Sequence, residues 1–215
     1  MGASMTVNGR STLLLDGKPV AVQARQFGSV GFSPDGKHCA FAAYDSSTGG
    51  HLMLDTTRLG ESIVIDGSQP IDPANRSPAA LPYVFSSDSQ HIAYLGRMGD
   101  VNGIAVDGKF IATPHIANAF VRFSPDGKHV FWLSGGGWAD PGATFRLLAD
   151  GKPILTFSPA GALSKAPQWW DFNPDGTLSF LAQDDNSLKR ITVTPSPETS
   201  IATMLGGSGI VAENH

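Results

Sequence analysis

One cysteine, Cys39, stands among 215 residues. A lone thiol excludes both an intrachain disulfide framework and a cysteine-rich metal site. Glutamate is scarce as well, occurring only at Glu61, Glu198 and Glu213, so a catalytic acid/base pair would have to come from aspartates. Charged residues make up 16% of the chain, against roughly 25% in an average soluble domain. Lys and Arg number 15 against 19 Asp and Glu, a net charge of −4, and no basic cluster stands out. Nucleic-acid binders draw most of their affinity from clustered cations that neutralise phosphates, so no nucleic-acid partner is expected. No apolar run approaches the roughly 18 residues of a membrane span, and no charged-then-apolar leader opens the sequence. The chain reads as soluble, without a membrane span. Residues 1–4, MGAS ahead of Met5, read as a cloning remnant. A signal peptide removed upstream would place the protein in the periplasm or outside the cell, and otherwise it would be cytoplasmic.

Catalytic signatures are missing too. There is no HExxH, no phosphate-binding P-loop and no GxGxxG ahead of a helix, and Gly206-Gly207-Ser208-Gly209 runs into Ile210 where a nucleophile elbow needs glycine. Adjacent Asp184 and Asp185 read as solvated loop acids.

Gly (25) and Pro (15) are abundant, which implies frequent turns and excludes helices of ordinary length. The heptapeptide FSPDGKH occurs at residues 32–38 and again, letter for letter, at 123–129; FSSDSQH at 85–91 and FNPDGT at 172–177 approximate it. Proline presets φ, aspartate bonds nearby amides and glycine accepts positive φ, so each copy reads as a tight hairpin turn between apolar runs. A second turn signal alternates with the first: Asp16-Gly17, Asp66-Gly67, Asp107-Gly108 and Asp150-Gly151, each behind an apolar run. Units of 38 to 53 residues with about four strands each are the signature of a β-propeller. The strand after each first turn supports this. Cys39, Phe41 and Ala43 share one face and Ala40 and Ala42 the other, so both faces are apolar, as in a blade covered by neighbours on each side.

The segments FSPDGKHCAF, FSSDSQHIAY, FSPDGKHVFW and FNPDGTLSF resemble the TolB-type, WD-like β-propeller repeat, over roughly residues 13–194. The resemblance implies an all-β propeller of four-stranded antiparallel blades and says little about function, because such propellers serve as platforms, scaffolds and non-catalytic halves of enzymes. Ser87 and Ser89 replace proline and glycine in the second copy, and the fourth copy is one residue shorter. One domain over residues 1–215 is expected. It would have four blades, with the 13–15 strand completing the C-terminal blade; five blades is the alternative.

If both tight turns leave one end of each blade, the irregular loops share the other end, where function tends to sit. That end is expected to carry Arg25, His51, Arg76, Arg97, His115, Trp138, Asp140 and Trp169 as candidate binding residues. Trp138, in a glycine-rich loop, either offers a flat surface to a sugar or partner side chain or folds back over the blade edge. His38, His91 and His129 occupy matching places in successive repeats; spread around a ring, they cannot supply zinc with donors at about 2 Å. Neither metal nor cofactor is expected. The leading expectation is a non-catalytic binding module or scaffold for a protein or peptide. The alternatives are a hydrolase or isomerase with polar residues at the channel mouth, and a carbohydrate-binding lectin.

Overall fold

The computed structural model describes residues 2–7, 10–45, 49–60, 63–65, 83–113, 116–135, 145–157, 170–184 and 187–194. Among them there is no helix, and the strands form five antiparallel sheets that follow one another along the chain. The first holds β1 (Gly2–Val7), β2 (Arg10–Leu15) and β3 (Lys18–Ala24). The second holds β4 (Gln26–Phe32), β5 (Cys39–Asp45), β6 (Gly49–Leu54) and β7 (Thr57–Arg58). The third combines β8 (Val64–Ile65), β9 (Tyr83–Phe85), β10 (Ile92–Met98), β11 (Val101–Val106) and β12 (Lys109–Ala112). The fourth comprises β13 (Ile116–Phe123), β14 (Val130–Gly135), β15 (Phe145–Ala149) and β16 (Lys152–Phe157). The fifth comprises β17 (Trp170–Phe172), β18 (Leu178–Asp184) and β19 (Ser187–Val193).

The turns number the strand positions. An FSPDGKH-type turn joins position one to position two, and an aspartate turn joins position three to position four. The second and fourth sheets have all four positions, and the third splits position one between β8 and β9. The first sheet presents positions two to four and the fifth positions one to three. The expected closure therefore does not form by the expected pairing. Position three of the fifth sheet is already held by β19, while β2 lies between β1 and β3. Among the described residues no strand of the first sheet pairs with the fifth. Gly2, Ala3 and Ser4 pair with Leu15, Leu14 and Leu13 inside β1.

The two-faced apolar strands do what their composition requires. Cys39, Phe41 and Ala43 pack with Leu13, Ala24 and Met53, joining the second sheet to the first. Ala40 and Ala42 turn the other way and join a core of Leu52, Tyr83, Tyr94 and Trp132 that runs through the second, third and fourth sheets. Phe131 meets Phe172 edge-on at 5.3 Å, carrying the stack to the fifth sheet. Burial, and secondarily the Asp55 carboxylate, pushes the Cys39 thiol up to about 11. Cys39 is thus a core residue whose thiol is disfavoured from ionising.

Three second-kind turns have the two successive positive φ values of a type I′ hairpin: Asp16-Gly17 (50°, 78°), Asp107-Gly108 (50°, 78°) and Asp150-Gly151 (50°, 85°). The second sheet departs from the expectation. Its turn is Asp55-Thr56, with Asp55 at φ 55°, a conformation that aspartate tolerates better than most residues. Asp66-Gly67 falls outside the described residues.

Candidate functional site

The repeated heptapeptide is a joint. In the second sheet Ser33 N–H donates to the His38 carbonyl (2.9 Å) and Gly36 N–H to the Ser33 carbonyl (2.9 Å). Ser33 Oγ donates to Asp35 Oδ1 (2.7 Å) and accepts from His38 N–H (3.0 Å). The same bonds recur at Ser86, Asp88 and His91 and at Ser124, Asp126 and His129. In the fifth sheet Asn173 and Thr177 substitute, with Thr177 donating to Asp175 Oδ1 through both its N–H (3.0 Å) and its hydroxyl (2.7 Å). The carboxylates are stabilised accordingly. The Ser33 hydroxyl, then the Lys37 N–H, holds Asp35 down to about 2. Ser124 lowers Asp126, and Thr177 lowers Asp175.

Each histidine at the end of a turn is tied to the second turn of its own sheet. Nδ1–H of His38, His91 and His129 donates to Oδ2 of Asp55 (2.9 Å), Asp107 (2.7 Å) and Asp150 (2.7 Å). The other oxygen of each aspartate accepts the N–H of Cys39 (2.9 Å), Ile92 (2.9 Å) or Val130 (2.8 Å). One aspartate thus clasps both turns, which puts the two turn kinds at the same end of every such sheet. The Nδ1 of each histidine is engaged within its own sheet. Among the described residues no three His, Cys, Asp or Glu side chains are grouped to hold a metal ion.

At the opposite end two of the segments expected to be irregular loops are regular. Residues 22–28 are strand but for a break at Arg25, and the 96–103 segment is a two-residue hairpin at Gly99-Asp100, with Gly99 at φ 61°. Apolar Met98 and Val101, directly paired across that hairpin, stay 45% and 50% exposed. Arg25 is exposed at the β3–β4 junction, its N–H on the Tyr44 carbonyl (3.0 Å). Arg97 is exposed at the end of β10, with Nη1 on the Gly99 carbonyl (3.4 Å). His51 lies buried in β6 and not in the expected exposed loop, its Nδ1–H donating to the Ile63 carbonyl (3.2 Å), and burial lowers its pKa. Arg76, His115, Trp138, Asp140 and Trp169 lie outside the described residues.

The register of the position-one strands holds a feature that the sequence did not suggest. In β4, Phe27 pairs with Ala43 and Val30 with Phe41, so two residues (28–29) stand against Ala42 alone. In the third sheet Ile65 pairs with Gly96 and Tyr83 with Tyr94, so the described pairing passes from β8 to β9 at the level of Leu95. In β13, Ile116 pairs with Ser134 and Val121 with Trp132, so four residues (117–120) stand against Leu133. Ala42, Leu95 and Leu133 are each the fourth residue after the turn histidine. The position-one pairing of the second, third and fourth sheets thus breaks at one level.

Neither a family model nor a curated protein matches the chain. Among solved structures it is similar to TolB from Acinetobacter baumannii, at 15% identity and TM-score 0.38, over 85% of this chain and 45% of that one. A dipeptidyl aminopeptidase IV from Bacteroides ovatus matches at 10% identity and TM-score 0.45, over 95% and 34% of the two chains. A 6-phosphogluconolactonase from Bacteroides uniformis matches at 14% identity and TM-score 0.35, over 88% and 62%. The chain spans less than half the length of the first two of these structures.

Proposed function

We propose that the five sheets are successive blades of a β-propeller-type platform that binds a protein or peptide without catalysis, at the end opposite the clasped turns. The common break opposite Ala42, Leu95 and Leu133 carries this reading. A rigid repeat that breaks its position-one strand at one height, by two residues in β4 and four in β13, separates scaffold from variable contact surface, which is how binding loops are built on invariant frames. The exposed Met98–Val101 pair beside Arg97, with Arg25 on the neighbouring sheet, supplies an apolar patch and cations at that end. Such a mixture suits an acidic, partly apolar peptide.

The experiment is a selection of peptides from a random display library on the full chain. The Met98→Asp/Val101→Asp and Arg25→Glu/Arg97→Glu variants are then tested against the selected peptides. Binding should fall at least about tenfold in each double variant, the scale of losing a central contact, with the melting temperature unchanged. Selected peptides that bind both variants as well as the parent chain would overturn the assignment of this end.

A further inference from the structure

The second copy of the first-kind turn departs from its repeat at two positions, and both departures reach out of their own sheet. Where the other copies have Pro34, Pro125 and Pro174 it has Ser87, and where they have Gly36, Gly127 and Gly176 it has Ser89. Ser89 Oγ accepts the Asp35 N–H at 3.0 Å, a bond to the second sheet. Ser87 Oγ donates to the Pro125 carbonyl, a bond to the fourth. Between them stands Asp88, held by the Ser86 hydroxyl and the Gln90 N–H. It lies so close to Gly127 that a Cβ there would fall 2.4 Å from the Asp88 carboxyl carbon. Proline and glycine carry no hydroxyl, so a copy that kept the repeat's residues can make neither bond.

Ser89 holds its place against its own backbone preference. Its φ is 63°, a left-handed conformation that glycine adopts freely and serine only at a conformational cost. The residue is nevertheless 2% exposed, with its hydroxyl on the neighbouring sheet. The strand that runs into this turn explains what the two bonds supply. β9 has three residues, paired with Tyr94, Ala93 and Ile92, whereas β4 has seven and β13 eight. The third sheet leads into its turn with a short strand, and the turns on either side grip it through the serines.

We infer that Ser87 and Ser89 form a latch that couples the first turns of the second, third and fourth sheets, so that opening one loosens the next. The coupling runs along the clasped end and stands independently of the binding surface proposed for the other end. Its consequence is opposite to what the repeat alone would suggest. Restoring proline and glycine at positions 87 and 89 loosens the row of turns, although each restored residue suits its own backbone better.

Native-state hydrogen exchange on the full chain and on a Ser87→Pro/Ser89→Gly protein tests this. The variant has the turn residues of the other sheets, so its circular dichroism should match that of the parent. The Asp35 amide should exchange about tenfold faster in it, the scale of one lost hydrogen bond. Gly36→Val, which strains the second sheet's turn, should speed exchange of the Ser89 amide in the parent about fivefold through the latch. The same substitution in the Ser87→Pro/Ser89→Gly protein should leave the amide at position 89 unmoved. A Ser87→Ala/Ser89→Ala protein, which lacks the hydroxyls but keeps a Cβ at both positions, should behave in the same way. That separates the hydroxyls from the flexibility of glycine. The proposal is overturned if the Asp35 amide exchanges no faster in the variants. It is also overturned if Gly36→Val has the same effect at position 89, or none, with and without the hydroxyls.

Discussion

The Nδ1 of His129 lies 2.7 Å from the Asp150 carboxylate, across 21 positions of sequence. The same carboxylate takes the Val130 N–H at 2.8 Å, and both Val130 and Asp150 are buried. In the second sheet the equivalent pair is His38 and Asp55, but there the aspartate side chain is 48% exposed.

Removing the two aspartates should therefore have unequal effects. Asp150→Ala leaves the Val130 N–H without an acceptor and without water, and is expected to cost about 3 kcal/mol. Asp55→Ala lets water replace the carboxylate and should cost about 1 kcal/mol. Alanine at positive φ penalises both alike, so the difference isolates burial. Urea unfolding of the two variants measures it, and equal losses would contradict the clasp as described.

Gly36→Val and Gly127→Val offer a second contrast. Both glycines sit at φ 73°, where a β-branched residue is strained by about 1 kcal/mol or more. At Gly127 the new side chain also runs into Asp88, which is held by the Ser86 hydroxyl and the Gln90 N–H. Overpacking there should add about 2 kcal/mol. Thermal melts should rank the parent chain above Gly36→Val and Gly36→Val above Gly127→Val.

Tyr94 and Trp132 occupy the same place in successive sheets, yet only one uses its polar atom. The Tyr94 hydroxyl donates to the Leu59 carbonyl at 2.9 Å, while the buried Trp132 Nε1–H has no acceptor among the described residues. Tyr94→Phe should cost about 1 kcal/mol. In Trp132→Phe the loss of volume is offset by removal of an unsatisfied donor, leaving a net change within about 1 kcal/mol. Denaturant midpoints of the two variants test this. A loss of several kcal/mol at Trp132 would show that its N–H is satisfied.

Acid should weaken the fold through the turn aspartates. Asp35, Asp126 and Asp175 have carboxyls lowered in the folded state, Asp35 to about 2. The unfolded chain then takes up protons first as the pH falls, so their contribution is complete above about pH 4. It disappears as the pH drops toward 2. Urea midpoints measured at points between pH 4.5 and 2.5 should fall, and the fall should be smaller in an Asp35→Asn/Asp126→Asn variant. A slope unchanged by those substitutions would assign the acid sensitivity elsewhere.

The turns were legible because their chemistry is local: proline, aspartate and glycine write FSPDGKH in the order in which the backbone needs them. Even the Ser89 departure keeps the geometry, at φ 63°, and its hydroxyl accepts the Asp35 N–H. Asp55-Thr56 was missed because it lacks glycine. The spacing could have found it, since Asp55 follows His38 by 17 positions as Asp107 follows His91 by 16. His51 was misplaced because a polar residue near an expected loop reads as exposed, whereas its ring reaches the Ile63 carbonyl inside the stack. The breaks opposite Ala42, Leu95 and Leu133 depend on pairing between strands, and no single segment of sequence records a register.

Those breaks also decouple the length of the chain from the stability of the scaffold. Pairing resumes on the same partner strand after each break, with its register shifted, so a longer excursion adds only the entropy of closing a larger loop. Going from the two residues of β4 to the four of β13 costs about 0.6 kcal/mol on that account. The level of Ala42, Leu95 and Leu133 is thus a socket at which insertions can be gained, lost or grafted while the clasped turns at the other end hold the frame unchanged.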